Sequence, residues 1–227
     1  MSQTLAFIHT SPTLIPAFSS LAASILPDAN IFHMVDESLI RDTIQAGHLR
    51  KITIRRLIAM VDSARNAGAD AVLVTCSSIG KGVVIAQELF DFPVVRVDDA
   101  MAETAVQQAR RIGVIATLET TLQPTLQLLR DKAAAAGKEV EIRDCLCEGA
   151  FKAVLSGDTA THDRVVSAAL TEEMKRSDLI VLAQASMARV VATLPAESVT
   201  VPILSSPELA VLRVREVLKS TKSGTAV

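Results

Sequence analysis

Cys76 stands in the segment Ala71-Val-Leu-Val-Thr-Cys-Ser-Ser-Ile-Gly80, where an apolar run ends in a thiol followed by two hydroxyls. A thiol just past a strand and at a helix start is placed to become a thiolate, because the helix N-terminus favours negative charge. Such a group can serve as nucleophile or as general acid and base. The alternative for a cysteine in an apolar segment is a buried, inert thiol. A second segment, Leu179-Ile-Val-Leu-Ala-Gln-Ala-Ser-Met-Ala188, repeats the pattern 108 residues later. Laid over each other, Cys76 falls on Gln184, Ser78 on Ser186 and Ile79 on Met187. A repeated site with a thiol on one side and an amide on the other points to one-sided proton or nucleophile chemistry.

Four strand ends carry the remaining candidates. They are His9-Thr10-Ser11, Thr75-Cys76-Ser77-Ser78, Thr117 with Glu119-Thr120, and Gln184-Ala185-Ser186. In parallel α/β sheets ligands bind beyond the carboxyl ends of the strands. Hydroxyls and amides at such turns supply donors suited to a carboxylate. The same Ser and Thr residues would also serve as helix N-caps. Their repetition in both halves favours anion binding. His9 ends the first run, and its intrinsic pKa suits acid and base work, while a histidine packing or bonding locally beside the strand is an equal alternative. Glu148 and its counterpart Glu37 follow the second strands of their halves and could reach a cleft mouth, although exposed helix-starting carboxylates are the simpler explanation. His33 and Asp36 are weaker candidates nearby.

Cys145 and Cys147 form a Cys-X-Cys pair at another strand end. With His162 they offer too few ligands for structural zinc, so no metal is expected. Cys147 could also be a displaced second thiol. The glycines form neither a GxGxxG nor a P-loop pattern, so no nucleotide cofactor is expected.

Positioning these residues falls to short apolar runs at 5–9, 29–34, 71–75, 94–97, 112–117, 140–144, 179–183 and 201–204. Most are β-branched and apolar on both faces, as in parallel strands covered by helices. Helical patterns lie between them at 49–67, 100–110, 121–136, 161–176 and 207–219. Alternating β and α elements predict an α/β fold. Landmarks repeat beyond the cysteine at offsets near 108: Thr10 with Thr117, Asp70 with Asp178, Pro93 with Pro202, and Gly47 with Gly157. Two duplicated βαβ units are therefore expected, each a parallel sheet sandwiched by helices, facing each other across a cleft. One lobe would span residues 1–100, with the helix at 207–220 packing back on it. The other would span 101–206, the hinge lying at 100–111.

The 227 residues are about half hydrophobic but contain only six Phe and no Trp or Tyr, so the core must be aliphatic. Lys plus Arg total 23 and Asp plus Glu 25, a net charge of −2. That balance leaves no electrostatic footprint for nucleic acid or an anionic membrane. No apolar run is long enough to span a bilayer, and the N-terminus lacks the pattern of a signal peptide. Three cysteines, an odd number, point to free thiols and a cytoplasmic location.

Thr-Cys-Ser-Ser after a buried strand, Gly113-Val-Ile-Ala-Thr117 opening the second half, and the duplicated plan together resemble the aspartate/glutamate racemase superfamily. That group includes aspartate, glutamate and hydantoin racemases, maleate isomerases and arylmalonate decarboxylases. The resemblance implies a cofactor-independent enzyme on a small carboxylate, a two-lobed α/β fold, and a homo-oligomer. Its racemases use two cysteines, one from each half, on opposite faces of a carbon beside a carboxylate. On that similarity Cys76 is the first-half thiol, with Gln184 where the second would stand and His9 as a substitute base. Thr10, Ser11, Thr75, Ser77, Ser78, Thr117, Thr120, Glu148, Ser186 and Met187 would line the substrate. Racemase or isomerase is the leading reading. A decarboxylase or lyase with one-sided protonation comes second, and a non-catalytic small-acid binding protein third.

Overall fold

The computed structural model describes residues 2–224, and the side chains of 2–220. All eight strands expected from the apolar runs form, and all pair in parallel. The described chain divides into two compact units, one ending at Val97 and resuming at Pro207, the other running from Asp98 to Ser206.

In the first unit β1 (Thr4–His9), β2 (Asn30–Val35), β3 (Ala71–Val74) and β4 (Val94–Arg96) form a sheet in the order β2-β1-β3-β4. The helices are α1 (Ile15–Ile25), α2 (Glu37–Ala46), α3 (Lys51–Asn66) and α4 (Gly80–Leu89). Period-two alternation splits the strand residues between two cores. Leu5, Phe7, Leu73, Val95 and Val97 pack with Phe18 and Ala22 of α1. Ala6, Ile8, Val72, Val74 and Val94 pack with Leu39 of α2, Leu57 and Val61 of α3, and Val83 and Ala86 of α4. Each fully buried Leu or Phe contributes roughly 2 kcal/mol of transfer free energy.

The second unit holds α5 (Asp99–Gln108), β5 (Arg111–Ala116), α6 (Glu119–Ala135), β6 (Glu141–Leu146), α7 (Ala150–Leu155), α8 (Thr159–Met174), β7 (Leu179–Leu182), α9 (Ala188–Val191) and β8 (Ile203–Ser205). Its sheet order is β6-β5-β7-β8, the first sheet's order repeated. The register repeats as well: Ile8 sits beside Val74, and Ile115 beside Leu182. The central strands are the most deeply buried, which is why they read as continuous apolar runs.

The last helix, α10 (Ser206–Gly224), supplies Ala210, Val211, Val214 and Leu218 to the same core as Phe7 and Phe18. It continues to Gly224, beyond the helical pattern read at 207–219. No helix of the described chain is long and apolar enough to cross a membrane.

Candidate active site

β3 is four apolar residues whose buried chain ends at Val74, and Thr75 and Cys76 carry it into a 3-10 turn, Ser77–Ile79, that opens α4. Cys76 is the N-cap of that turn, with extended backbone at φ −128° and ψ 115°. Its side chain is half-buried and packs against the core beneath α3 and α4. Protein crowds the sulfur, and this burial pushes the thiol pKa up. Hydrogen bonds from the Thr10 and Ser78 hydroxyls, and from the amides of Ser78 and Ile79, pull in the other direction without overcoming it. The lowered thiol pKa expected from the helix start is therefore corrected. Desolvation outweighs the donors, and Cys76 rests as a thiol whose ionised form already has four donors assembled around it.

Thr10, Ser77 and Ser78 are all buried at this turn, so the structure gathers three of the expected hydroxyl residues with the thiol. Ser11 is not among them as a donor; its hydroxyl caps the turn after β1, bonding Thr13. Thr75 points to the opposite sheet face from Cys76, as strand alternation requires. Its hydroxyl donates to the Ile8 carbonyl at 3.2 Å and meets His9 Nδ1 at 2.8 Å.

His9 is 0% exposed, which corrects its expected place as an acid or base reaching substrate. Both ring nitrogens are engaged: Nδ1 with Thr75 and Nε2 with His33 Nδ1 at 2.9 Å. His33 Nε2 meets Ser19 Oγ at 3.0 Å. Assigning the hydrogen of the Thr75 hydroxyl to Ile8 makes Nδ1 of His9 the donor to Thr75. His9 Nε2 then accepts from His33 Nδ1–H, and His33 Nε2 accepts from Ser19. One carbonyl thus fixes the tautomers of two imidazoles, as assigned from hydrogen-bond satisfaction. Phe7 and Phe18 enclose the pair. Burial, then the neighbouring His33, lowers the His9 pKa to about 4. Burial lowers that of His33 as well. Ser19 gave no signal in the sequence, because a serine within an apolar segment marks no chemistry by itself.

Arg96 is a second residue the sequence reading missed. It ends β4 beside Val74 and is buried, and a side chain on Gly80 would run into its guanidinium. The signal lay in comparing the repeats: Gly80 and Arg96 stand where the other half has Ala188 and Ser205.

In the second unit Gln184 occupies the place of Cys76, capping the 3-10 turn Ala185–Met187 at φ −133° and ψ 134°. Its Oε1 accepts from the Thr117 amide at 2.6 Å and from the Thr117 hydroxyl at 2.9 Å. The carboxamide is thereby fixed, with its NH2 group directed away from Thr117. Thr120 in the first turn of α6 has a buried hydroxyl oxygen with no hydrogen-bond partner among the described residues. Ser186 is exposed in the 3-10 turn, and Glu148 is exposed in the turn after β6. Met187 is 0% exposed within the core of Ile115, Ile180 and Leu182. Its expected place on a substrate surface is corrected: it is a packing residue, as Ile79 is in the first unit.

The profile of the family described as Asp/Glu/Hydantoin racemase matches residues 8–214. The chain belongs to that family. Solved structures of similar fold include a glutamate racemase, isoform RacE1, from Bacillus anthracis, at 19% identity and TM-score 0.74, covering 96% of this chain and 82% of that one. An allantoin racemase from Klebsiella pneumoniae aligns at 19% identity and TM-score 0.68, covering 97% and 89%. A Picrophilus torridus aspartate racemase aligns at 12% identity and TM-score 0.70, covering 97% and 95%. No curated protein matches. The racemase fold thus extends over both units, with a thiol at one repeated strand end and an amide at the other.

Proposed function

We propose that this family member is a cofactor-independent racemase or isomerase of a small carboxylate, with Cys76 as its acid/base or nucleophilic group. The observation that supports it is the set of donors on the Cys76 sulfur: two hydroxyls and two amides in a half-open turn. A structural cysteine needs no such set. Here the donors lower the cost of forming the thiolate, the thiol proton passing to water as substrate arrives. The thiolate would take the proton from the carbon beside the carboxylate, leaving an enolate-like anion. Preorganised donors are the usual source of stabilisation for such an anion. Thr10, Ser77 and Ser78 are assigned to the substrate carboxylate in this reading, with Thr117, Thr120 and Ser186 as their counterparts in the second unit. Glu148 is retained as a candidate at the rim.

His9 is assigned a positioning role rather than a catalytic one. It holds Thr75 on one face of β3 while Cys76 works on the other. Gln184 is assigned to orient substrate or to donate its NH2 hydrogens to the enolate. Three free thiols fit a reducing, cytoplasmic setting.

One observation favours a second reading. An amide held by Thr117 cannot return a proton near neutral pH, so protonation from Cys76 alone would be one-sided. That is the behaviour of a decarboxylase or lyase. Incubating the protein in D2O with both enantiomers of aspartate and glutamate, with hydantoins and with 2-aryl malonates distinguishes the cases. Deuterium beside the carboxylate with racemisation supports the first reading. Carbon dioxide release with a single product enantiomer supports the second. No exchange and no turnover across the panel, with binding retained, would leave the binding-protein reading in place and end both others.

A further inference from the structure

Cys145 and Cys147 have no part in the chemistry above. We propose that they are a peroxide-oxidisable dithiol that closes to a disulfide within the second unit. Cys145 lies in β6 and Cys147 in the first position after it, and both thiols meet one core. Cys147 is buried among Ile115, Ala150, Val166, Leu170 and Met187, while Cys145 packs against that cluster half-exposed. The two side chains lie close enough for each to act on the ionisation of the other.

The two thiols are unequal. The hydrogen bond from Cys147 draws the Cys145 pKa down, and the same bond, with burial, pushes Cys147 up. Cys145 is thus the more readily ionised of the two, against the opposing pull of burial and the Glu173 and Asp144 carboxylates, and it is the one that a small oxidant can reach. Cys147 is the protected partner. Its side chain has no capping duty to explain it, because the N-cap of α7 is Gly149 without a side-chain bond. The corresponding position in the first unit is Asp36, whose carboxylate does cap α2.

The chemistry requires a hydroperoxide as oxidant. The Cys145 thiolate attacks one peroxide oxygen, the O–O bond breaks, and the departing oxygen takes a proton to become water or an alcohol. Cys145 is left as a sulfenic acid. Cys147 then gives up its proton, and its sulfur attacks Sγ of Cys145. The S–O bond breaks, the hydroxide takes that proton and leaves as water, and the disulfide forms. Two thiols lose two electrons, and one peroxide gains them.

The backbone can follow. In an extended strand Cα atoms two residues apart lie about 6.6 Å from each other, near the upper end of the disulfide range. β6 ends at Leu146, so Cys147 is already in the turn, where Glu148 N–H bonds Leu146 and Ala150 N–H bonds Cys147. Cys147 N–H also donates to the Ala116 carbonyl at 2.7 Å, one residue before Thr117. Closure would therefore pull at the strand end that holds Gln184.

The test uses the reduced full-length protein and hydrogen peroxide, read by peptide mass. The expected product is a peptide containing Cys145 and Cys147 lighter by two hydrogens, formed about tenfold faster than any oxidation at Cys76, whose burial keeps it protonated. In Cys147→Ser, Cys145 should stop at the sulfenic acid and be captured by dimedone. In Cys145→Ser, Cys147 should stay reduced. Oxidation of Cys76 ahead of Cys145, or absence of the disulfide in the wild-type protein, would overturn the proposal. The wild-type result stands even where a variant folds poorly. None of it depends on the proposed reaction.

Discussion

Cys76 and Gln184 leave their strands in nearly the same backbone conformation, and each leads through a three-residue 3-10 turn into a helix. A threonine from the neighbouring strand donates to each: Thr10 to the Cys76 sulfur and Thr117 to the Gln184 oxygen. What differs is the acceptor and its surroundings. In the first unit Ser77 and Ser78 are buried and α4 runs for ten residues. In the second Ser186 is exposed and α9 runs for four. The duplicated backbone has kept one donor geometry and put it to two uses. On sulfur it favours an anion, and on a carboxamide it fixes an orientation. The asymmetry is thus chemical rather than architectural, and it can be attacked one side at a time.

The largest expected effect is on the thiol side. Cys76→Ala should reduce deuterium exchange beside the carboxylate by on the order of 10³-fold, the usual contribution of a positioned acid/base group. Gln184→Ala should lower the rate less, about tenfold, because it removes a hydrogen-bond donor and no proton carrier. Gln184→Cys is the sharper test. With a thiol restored at the repeated position, racemisation should rise relative to exchange. If Cys76→Ala and Gln184→Ala cost the same, the assigned division of labour fails.

A second difference lies one strand away. His9 of β1 has Ala116 as its counterpart in β5, and His33 has Asp144, so only the first unit holds a hydrogen-bonded imidazole pair. The His9 pKa falls from 6.5 to about 4 on folding. Below pH 6.5 the unfolded chain therefore takes up a proton that the folded chain refuses. Stability is full above that pH and declines as pH falls towards 4, by roughly 3 kcal/mol for this group alone. The lowered pKa of His33 acts with the same sign. Urea unfolding at pH 7 and pH 4.5 should show the loss, and His9→Phe should flatten it. An equal acid loss in that variant would place the sensitivity elsewhere.

Gly80 and Arg96 give a third contrast. At Gly80 an added methyl would meet the Arg96 guanidinium, whereas Ala188 shares the same backbone angles beside no arginine at the corresponding strand position. Gly80→Ala should cost about 1–3 kcal/mol through overpacking. Arg96→Ser in the same chain should recover part of that cost, giving a non-additive double-mutant cycle. Additive costs would show that the glycine is not there for the arginine.

Much of this was legible in the sequence because it rests on short-range pattern. Eight apolar runs became eight strands, and the repeat offset near 108 anticipated two sheets of identical order. The helix at 15–25 was not read, since α1 is apolar beyond its buried face. Site errors had a common cause: a strand-end position was taken as an open one. His9 and Met187 end or follow strands but turn into the cores under the helices, and facing direction depends on partners far along the chain. The pKa of Cys76 was misjudged for the same reason, because helix position is local and desolvation is not.

The smallest expected effect tests the shared threonine. Thr10→Val removes a hydroxyl from the Cys76 sulfur, so the thiol pKa should rise further, and alkylation of Cys76 by iodoacetamide at pH 8 should slow by about threefold. Thr117→Val removes one of two bonds to Gln184 Oε1 and leaves the 2.6 Å bond from its own amide. That substitution should cost about 1 kcal/mol or less and leave Cys76 alkylation unchanged. The side chains are nearly isosteric, so packing changes little, and the comparison isolates the hydroxyl. Equal slowing of alkylation by both would mean that the two threonines act through the fold and not on the groups they touch. Slowing by Thr10→Val alone would mean that one repeated donor now serves a reactive sulfur and the other a fixed amide.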